Sequence, residues 1–195
     1  MTFGDISISV VDILLLFFFA GFFILGFAQG TIRRLLGIGS ILFSWFLAAN
    51  LAQPLSEFLG KNWTQFPAEY SYMIGFLAVF VTLSIVFALV IQGFYKPQPL
   101  FQKARFADEI IGGLLGLLQA ALIFGGLLII LDSFFRIPGL GGTAFHTELP
   151  FLRTIWTAVN DTQIAALFRD TLIPAFFAVF GFLVPESIRA NYTFS

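Results

Sequence analysis

Four apolar stretches limit the folds open to this chain. Residues 8–28, 35–51, 70–94 and 110–135 each run for roughly the length that crosses a bilayer, about 20 residues, with few charges inside them. In hydrocarbon every backbone N–H and C=O must find its partner within the protein, so such stretches form helices. Composition agrees. Of 195 residues, 58% are hydrophobic and 11% charged, with a mean hydropathy of +0.94. A soluble domain carries about 25% charged residues, and this chain has too few to wet a surface of its own. The expected fold is an all-α membrane protein with four transmembrane helices, and its first partner is the lipid bilayer.

Several function classes drop out on charge and residue type. A formal net charge of −1 provides no basic footprint for nucleic acid. The absence of cysteine removes disulfides, thiolate metal sites and thiol nucleophiles. His146 is the single histidine, and no G-x-S-x-G, P-loop or H-E-x-x-H pattern occurs. No catalytic residue, metal centre or cofactor is therefore expected. The opening MTFGDISISVVDILLLFFF lacks the basic region and small-residue cleavage site of a signal peptide, so it is expected to remain as the first span.

The connections set the organisation. Helices one and two are joined by the short hinge QGTIRR, which makes them an antiparallel pair. An interfacial loop is expected between spans two and three, over residues 52–69. The third loop carries Lys96, Lys103 and Arg105, and the hinge carries Arg33 and Arg34. The positive-inside rule then places hinge and third loop in the cytoplasm and both termini outside. Residues 1–136 form the four-helix domain, and 137–195 an amphipathic, interfacial tail. In that tail Phe151, Leu152, Ile155, Trp156 and Val159 recur at helical spacing, predicting an amphipathic helix over 148–169. The apolar run at 171–184, bounded by Pro174 and Pro185, is short for a span and reads as interfacial.

Three sets of side chains carry the functional candidates. Asp12 and Asp132 each lie about one turn inside a span, on the same side, where ionisable groups usually face a partner or a cavity. Two carboxylates meeting there would hold one proton between them, the ingredient of proton-coupled transport; the plainer reading caps a helix or pairs Asp132 with Arg136 or Arg153. On the other side Asp108 and Glu109 open the fourth helix, where the dipole favours acids. With Arg33 and Arg34 of the hinge they form a candidate latch. Gly112, Gly116 and Ala120 make a small-residue stripe for close helix packing, as do Gly26 and Gly30 at the hinge. The stripe Gly37, Ser40, Ser44 and Ala48 of the second helix is its expected partner. A Gly-rich face left over would serve a second copy of the chain or another membrane protein.

The hinge GFAQGTIRR, from Gly26 to Arg34, and the segment DEIIGGLLGLLQA, from Asp108, resemble the colicin V production protein family of bacterial inner-membrane proteins. Asp108, Gly112 and Gly116 match its aspartate followed by glycines four and eight positions on, and Asp12 and Asp132 match its early and exit aspartates. The similarity covers about the first 135 residues. This chain departs from the pattern at Gln29, Gln119 and Ala120. It also reads Arg33-Arg34 where the family has Arg-Glu, and Asp108-Glu109 where it has Asp-Arg. That reciprocal exchange of charge predicts an ion pair between hinge and helix entry. The resemblance implies a bacterial inner-membrane location and a role in colicin V production and envelope physiology. The expected function is non-enzymatic support of toxin or peptide production or export and of envelope homeostasis. The alternative is a small transporter or channel, proton-coupled through Asp12 and Asp132.

Overall fold

The computed structural model describes residues 2–3, 6–7, 9–63, 71–94, 104–135 and 150–183. Lys96, Lys103, Arg136, His146 and the tail after residue 183 lie outside the described residues. A two-residue antiparallel ladder, β1 (Thr2–Phe3) with β2 (Ile6–Ser7), precedes elements that are all helical among the described residues. Helix α1 spans Val10–Gln29, α2 Thr31–Asn62, α3 Ser71–Phe94, α4 Arg105–Phe135 and α5 Pro150–Asn160. The last long helix, α6, runs over Gln163–Phe180 and ends in a 3₁₀ turn at Gly181–Leu183. Five of these helices, all but α5, are long and apolar enough to cross a membrane. The chain is a multi-pass membrane protein.

Local chemistry explains the helix ends. Ser9 caps α1: its Oγ accepts from the Val11 N–H at 3.0 Å, and Asp12 Oδ2 accepts from the Ser9 N–H at 3.0 Å. This capping box satisfies backbone donors that a helix leaves open at its start. At the other end α1 reverses into α2 through one residue, Gly30, with φ 76° and ψ 175°. That region of backbone space is open to glycine alone.

Two elements are longer than the sequence suggests. The expected loop at 52–69 is largely helical, because α2 continues to Asn62 through Pro54. Pro54 and Asn50, whose carbonyl loses its helical donor, both occupy exposed positions, so the missing bond is tolerated. At the helical rise α2 extends roughly 48 Å, more than a hydrocarbon layer needs, and its polar final turns carry Glu57 and Lys61. Residues 171–180 of the expected interfacial run form the second half of α6, which begins at Gln163 and is long enough to cross a membrane. In a regular helix Pro174 would clash with the carbonyl of Asp170. A π turn over Phe168–Leu172, in which the Ile173 N–H reaches the Phe168 carbonyl, widens the backbone ahead of it and lets the helix run through. The amphipathic segment expected over 148–169 is divided, since Thr162 N-caps α6: its Oγ accepts from the Ala165 N–H at 3.1 Å.

Helix α4 is the centre of the bundle. Half of its membrane-length window is buried, against 28% at most for any other helix. It runs antiparallel to α1, with Gly116 against Phe22, Gly112 against Gly26 and Asp108 against Gly30. The stripe of α4 therefore packs on α1 and not on the small-residue stripe of α2. On its other side α4 meets α2, where the indole of Trp45 fits against Gly126 and Gln119 faces Gly37. Trp45 then stacks edge-on with Phe76 (5.1 Å) and Phe80 (5.6 Å), which ties α3 to α2. Phe168 of α6 packs edge-on against Phe124 of α4 at 4.8 Å. The described core is thus one cluster drawn from α2, α3, α4 and α6.

Candidate functional site

Among the described residues, the buried carboxylates Asp12, Asp108 and Asp132 lie at the two ends of α4. At its exit end, Asp132 is 1% exposed. Its Oδ2 accepts from Arg169 Nε at 2.7 Å, and its Oδ1 from Arg169 Nη2 at 2.6 Å. The indole N–H of Trp156, on α5, donates to the same Oδ1 at 2.9 Å. Two parallel N–H···O bonds to one carboxylate are the fork geometry that suits arginine. Arg169 stands in the π turn of α6, so the distortion that accommodates Pro174 also sets the register of this guanidinium.

Asp12 lies on the same side and also meets α6. Beyond capping α1, its Oδ1 accepts from the Ile164 N–H at 3.4 Å. A carboxylate 4% exposed thus sits between the N-termini of two helices, where both dipoles favour its charge. The two candidate acids converge on one helix, Asp12 at its first turn and Asp132 at Arg169, and each carboxylate has donors of its own.

At the entry end the four latch candidates divide. Glu109 pairs within its own helix with Arg105 at 3.0 Å, an exposed i, i+4 contact. Arg34 donates from Nη1 to Gln119 Oε1 at 2.6 Å, across from α2 to α4. Asp108 faces the hinge directly: its main-chain carbonyl accepts the Thr31 hydroxyl at 3.1 Å, and a Cβ on Gly30 would come within 2.6 Å of its Oδ2. The hinge is thus held against helix α4 by Thr31 and Gly30. Thr31→Val, which keeps the shape and removes the hydroxyl, is expected to lower stability by about 1 kcal/mol, measured as a fall in Tm in detergent.

Arg169, Trp156, Gln119 and Thr31 are the contacts that the sequence left unmarked. The available signal was a lone arginine inside an apolar segment, which needs an acid when the segment is buried. It was obscured by Asp170 beside it and by Pro174, which together read as a boundary. Among the described residues no group of three or more His, Asp or Glu side chains could hold a metal ion.

Comparison with known proteins finds one family. No curated protein and no solved structure matches the chain. The family model for the colicin V production protein matches residues 11–147. The matched region contains the hinge, the Gly112 and Gly116 seam and the buried Asp12, Asp108 and Asp132, whereas Trp156 and Arg169 lie beyond it. Matched over most of its length, this chain belongs to the colicin V production protein family.

Proposed function

We propose that this chain is a non-enzymatic inner-membrane component that supports production or export of a peptide toxin and, with it, envelope homeostasis. Membership of the colicin V production family supports the role in toxin production. The observation that carries the non-transporting part is the state of Asp132. A proton-carrying carboxylate has to exchange its proton with water during each cycle, whereas Asp132 is 1% exposed and both of its oxygens accept from Arg169. A cavity of about 270 Å³ between α4 and α6, which neither Asp132 nor Arg169 lines, is walled by apolar side chains such as Leu118, Phe168, Phe176 and Phe180. Such walls offer an ion no substitute for its hydration. Arg33 and Arg34 in the hinge support a cytoplasmic position for that end of the bundle under the positive-inside rule, with the start of α1 outside.

Two measurements test this. In a colicin V-producing host that lacks its own family member, expression of this chain restores toxin in the medium; release no higher than in the empty host would overturn the role. Proteoliposomes holding the wild type carry no proton or peptide flux above empty vesicles. The rival, a small proton-coupled transporter using Asp12 and Asp132, requires a flux that Asp132→Asn abolishes.

A further inference from the structure

Two buried side-chain atoms have no hydrogen-bond partner among the described residues, Arg34 Nε and Ser84 Oγ. Both residues line the same cavity, of about 420 Å³. It is a cleft between α1 and α3 with α2 and α4 as its floor, and it is distinct from the Asp132 junction at the opposite end of the bundle.

The charge in this cleft is one-sided. Arg33 and Arg34 enter its lining together with Gln29, Gln92 and Gln119, and no carboxylate does. Arg34 is 5% exposed; its Nη1 is taken by Gln119, and the Phe22 ring lies 5.7 Å from its Cζ. Those contacts leave the Nε/Nη2 edge of the guanidinium without a hydrogen bond among the described residues. A buried cation with an unsatisfied Nε donor calls for an anion, because burial without a counter-charge is strongly unfavourable. A planar N–H pair of this kind matches two oxygens of a phosphate.

The rest of the cleft identifies what carries the phosphate. Polar lining is concentrated at the hinge end, where Gln29 closes α1, Arg33 and Arg34 begin α2, and Gln92 nears the end of α3. Further in, the walls turn apolar, with Ile41, Phe80 and Ile123. The flanks Leu25, Val81 and Ile85 are 49%, 47% and 55% exposed on helices that face hydrocarbon, so the cleft opens sideways into the bilayer. A charged head and an apolar, laterally open body are complementary to an amphiphile that arrives from the membrane. Basic pockets between spans at the headgroup level suit anionic lipids.

We propose that this cleft is a binding site for an anionic phospholipid. The headgroup phosphate sits on the Nε/Nη2 edge of Arg34 with Arg33 beside it. Ser84 donates to an ester carbonyl of the glycerol backbone, and an acyl chain lies over Leu25, Val81 and Ile85. The site is independent of the proposed role in toxin production.

The test is native mass spectrometry of the full chain in detergent, titrated separately with phosphatidylglycerol, phosphatidylcholine and inorganic phosphate. Phosphatidylglycerol stays bound to the wild type. Arg34→Gln weakens it about tenfold, the loss of one charge-assisted contact, and Arg33→Gln weakens it in the same direction. Ser84→Phe fills the cleft without touching either charge, and so keeps the test open if Arg34→Gln does not fold; it also loses the lipid. Equal binding of phosphatidylcholine overturns the proposal. So does retention of phosphatidylglycerol by both Arg33→Gln and Ser84→Phe. Displacement of the lipid by millimolar inorganic phosphate would mean a small-anion site instead.

Discussion

Asp132→Ala is expected to destabilise the protein by about 3–5 kcal/mol, the usual consequence of removing one partner from a buried ion pair. The guanidinium of Arg169 is 10% exposed and receives its bidentate contact from this carboxylate. Without it a charge remains in a low-dielectric interior with its best acceptor gone. Trp156 loses its acceptor in the same substitution, so α5 and α6 are both loosened from α4. Asp132→Asn retains the shape and one acceptor oxygen and should fall between wild type and alanine. The double variant Asp132→Leu with Arg169→Met should recover much of the loss, because an apolar pair of similar size does not carry the desolvation cost of two charges. Thermal unfolding in detergent, followed through tryptophan fluorescence, completes the double-mutant cycle. An alanine variant that melts with the wild type would mean that the pair does not hold α6 in place.

The second large effect is expected at the seam between α1 and α4. A Cβ added at Gly112 would lie 2.5 Å from the Gly26 carbonyl oxygen and 2.9 Å from the Gly30 carbonyl carbon. At Gly116 it would run into the Phe22 carbonyl oxygen. In both cases the obstacle is backbone, which cannot rotate aside as a side chain would. The helices must separate, and contacts along the whole seam weaken together. Gly112→Val is expected to cost at least the ~1–3 kcal/mol typical of overpacking. Gly30→Ala meets Asp108 Oδ2 and adds the strain of a positive φ, about 1–3 kcal/mol. Gly39 and Gly21 provide the control, since nothing lies within 4 Å of a Cβ at either. Alanine there should be neutral or stabilising by about 0.5–1 kcal/mol, the gain from a better helix former. Melting temperatures of the four variants in one detergent check the ranking. If Gly112→Val melts no lower than Gly39→Ala, α1 and α4 do not pack through this seam.

How much of this was legible in the sequence depends on how far apart the interacting groups lie. The spans α1 to α4 follow from apolar length alone, because a helix in hydrocarbon satisfies its hydrogen bonds within a few residues of itself. The short hinge QGTIRR was equally legible, but its contraction to the single residue Gly30, at a positive φ, came only with the structure. The central position of α4 was readable from glycines on more than one of its faces.

Partner choice was not readable. Small residues were available to the stripe of α4 on both α1 and α2, and the sequence pointed to the stripe of α2, which is not the one it meets. The structure chooses α1 because Gly26 and Gly30 bare its backbone where α4 approaches, while α2 presents Trp45 to Gly126 and Gly37 to Gln119. Pro174 hid the fifth long helix, since a proline reads as a boundary unless a π turn precedes it, and that turn is a backbone adjustment no residue pattern announces. The partners of the buried charges are more distant still. Arg169 lies 37 residues from Asp132, and Gln119 lies 85 from Arg34. The amino-acid sequence by itself thus determined the first four spans, the hinge between the first two and their membrane solvent, all of which rest on interactions within a turn or two. Only the tertiary structure decided which faces meet and which donor satisfies each buried charge, because those contacts depend on helix phase and tilt, to which local composition is blind.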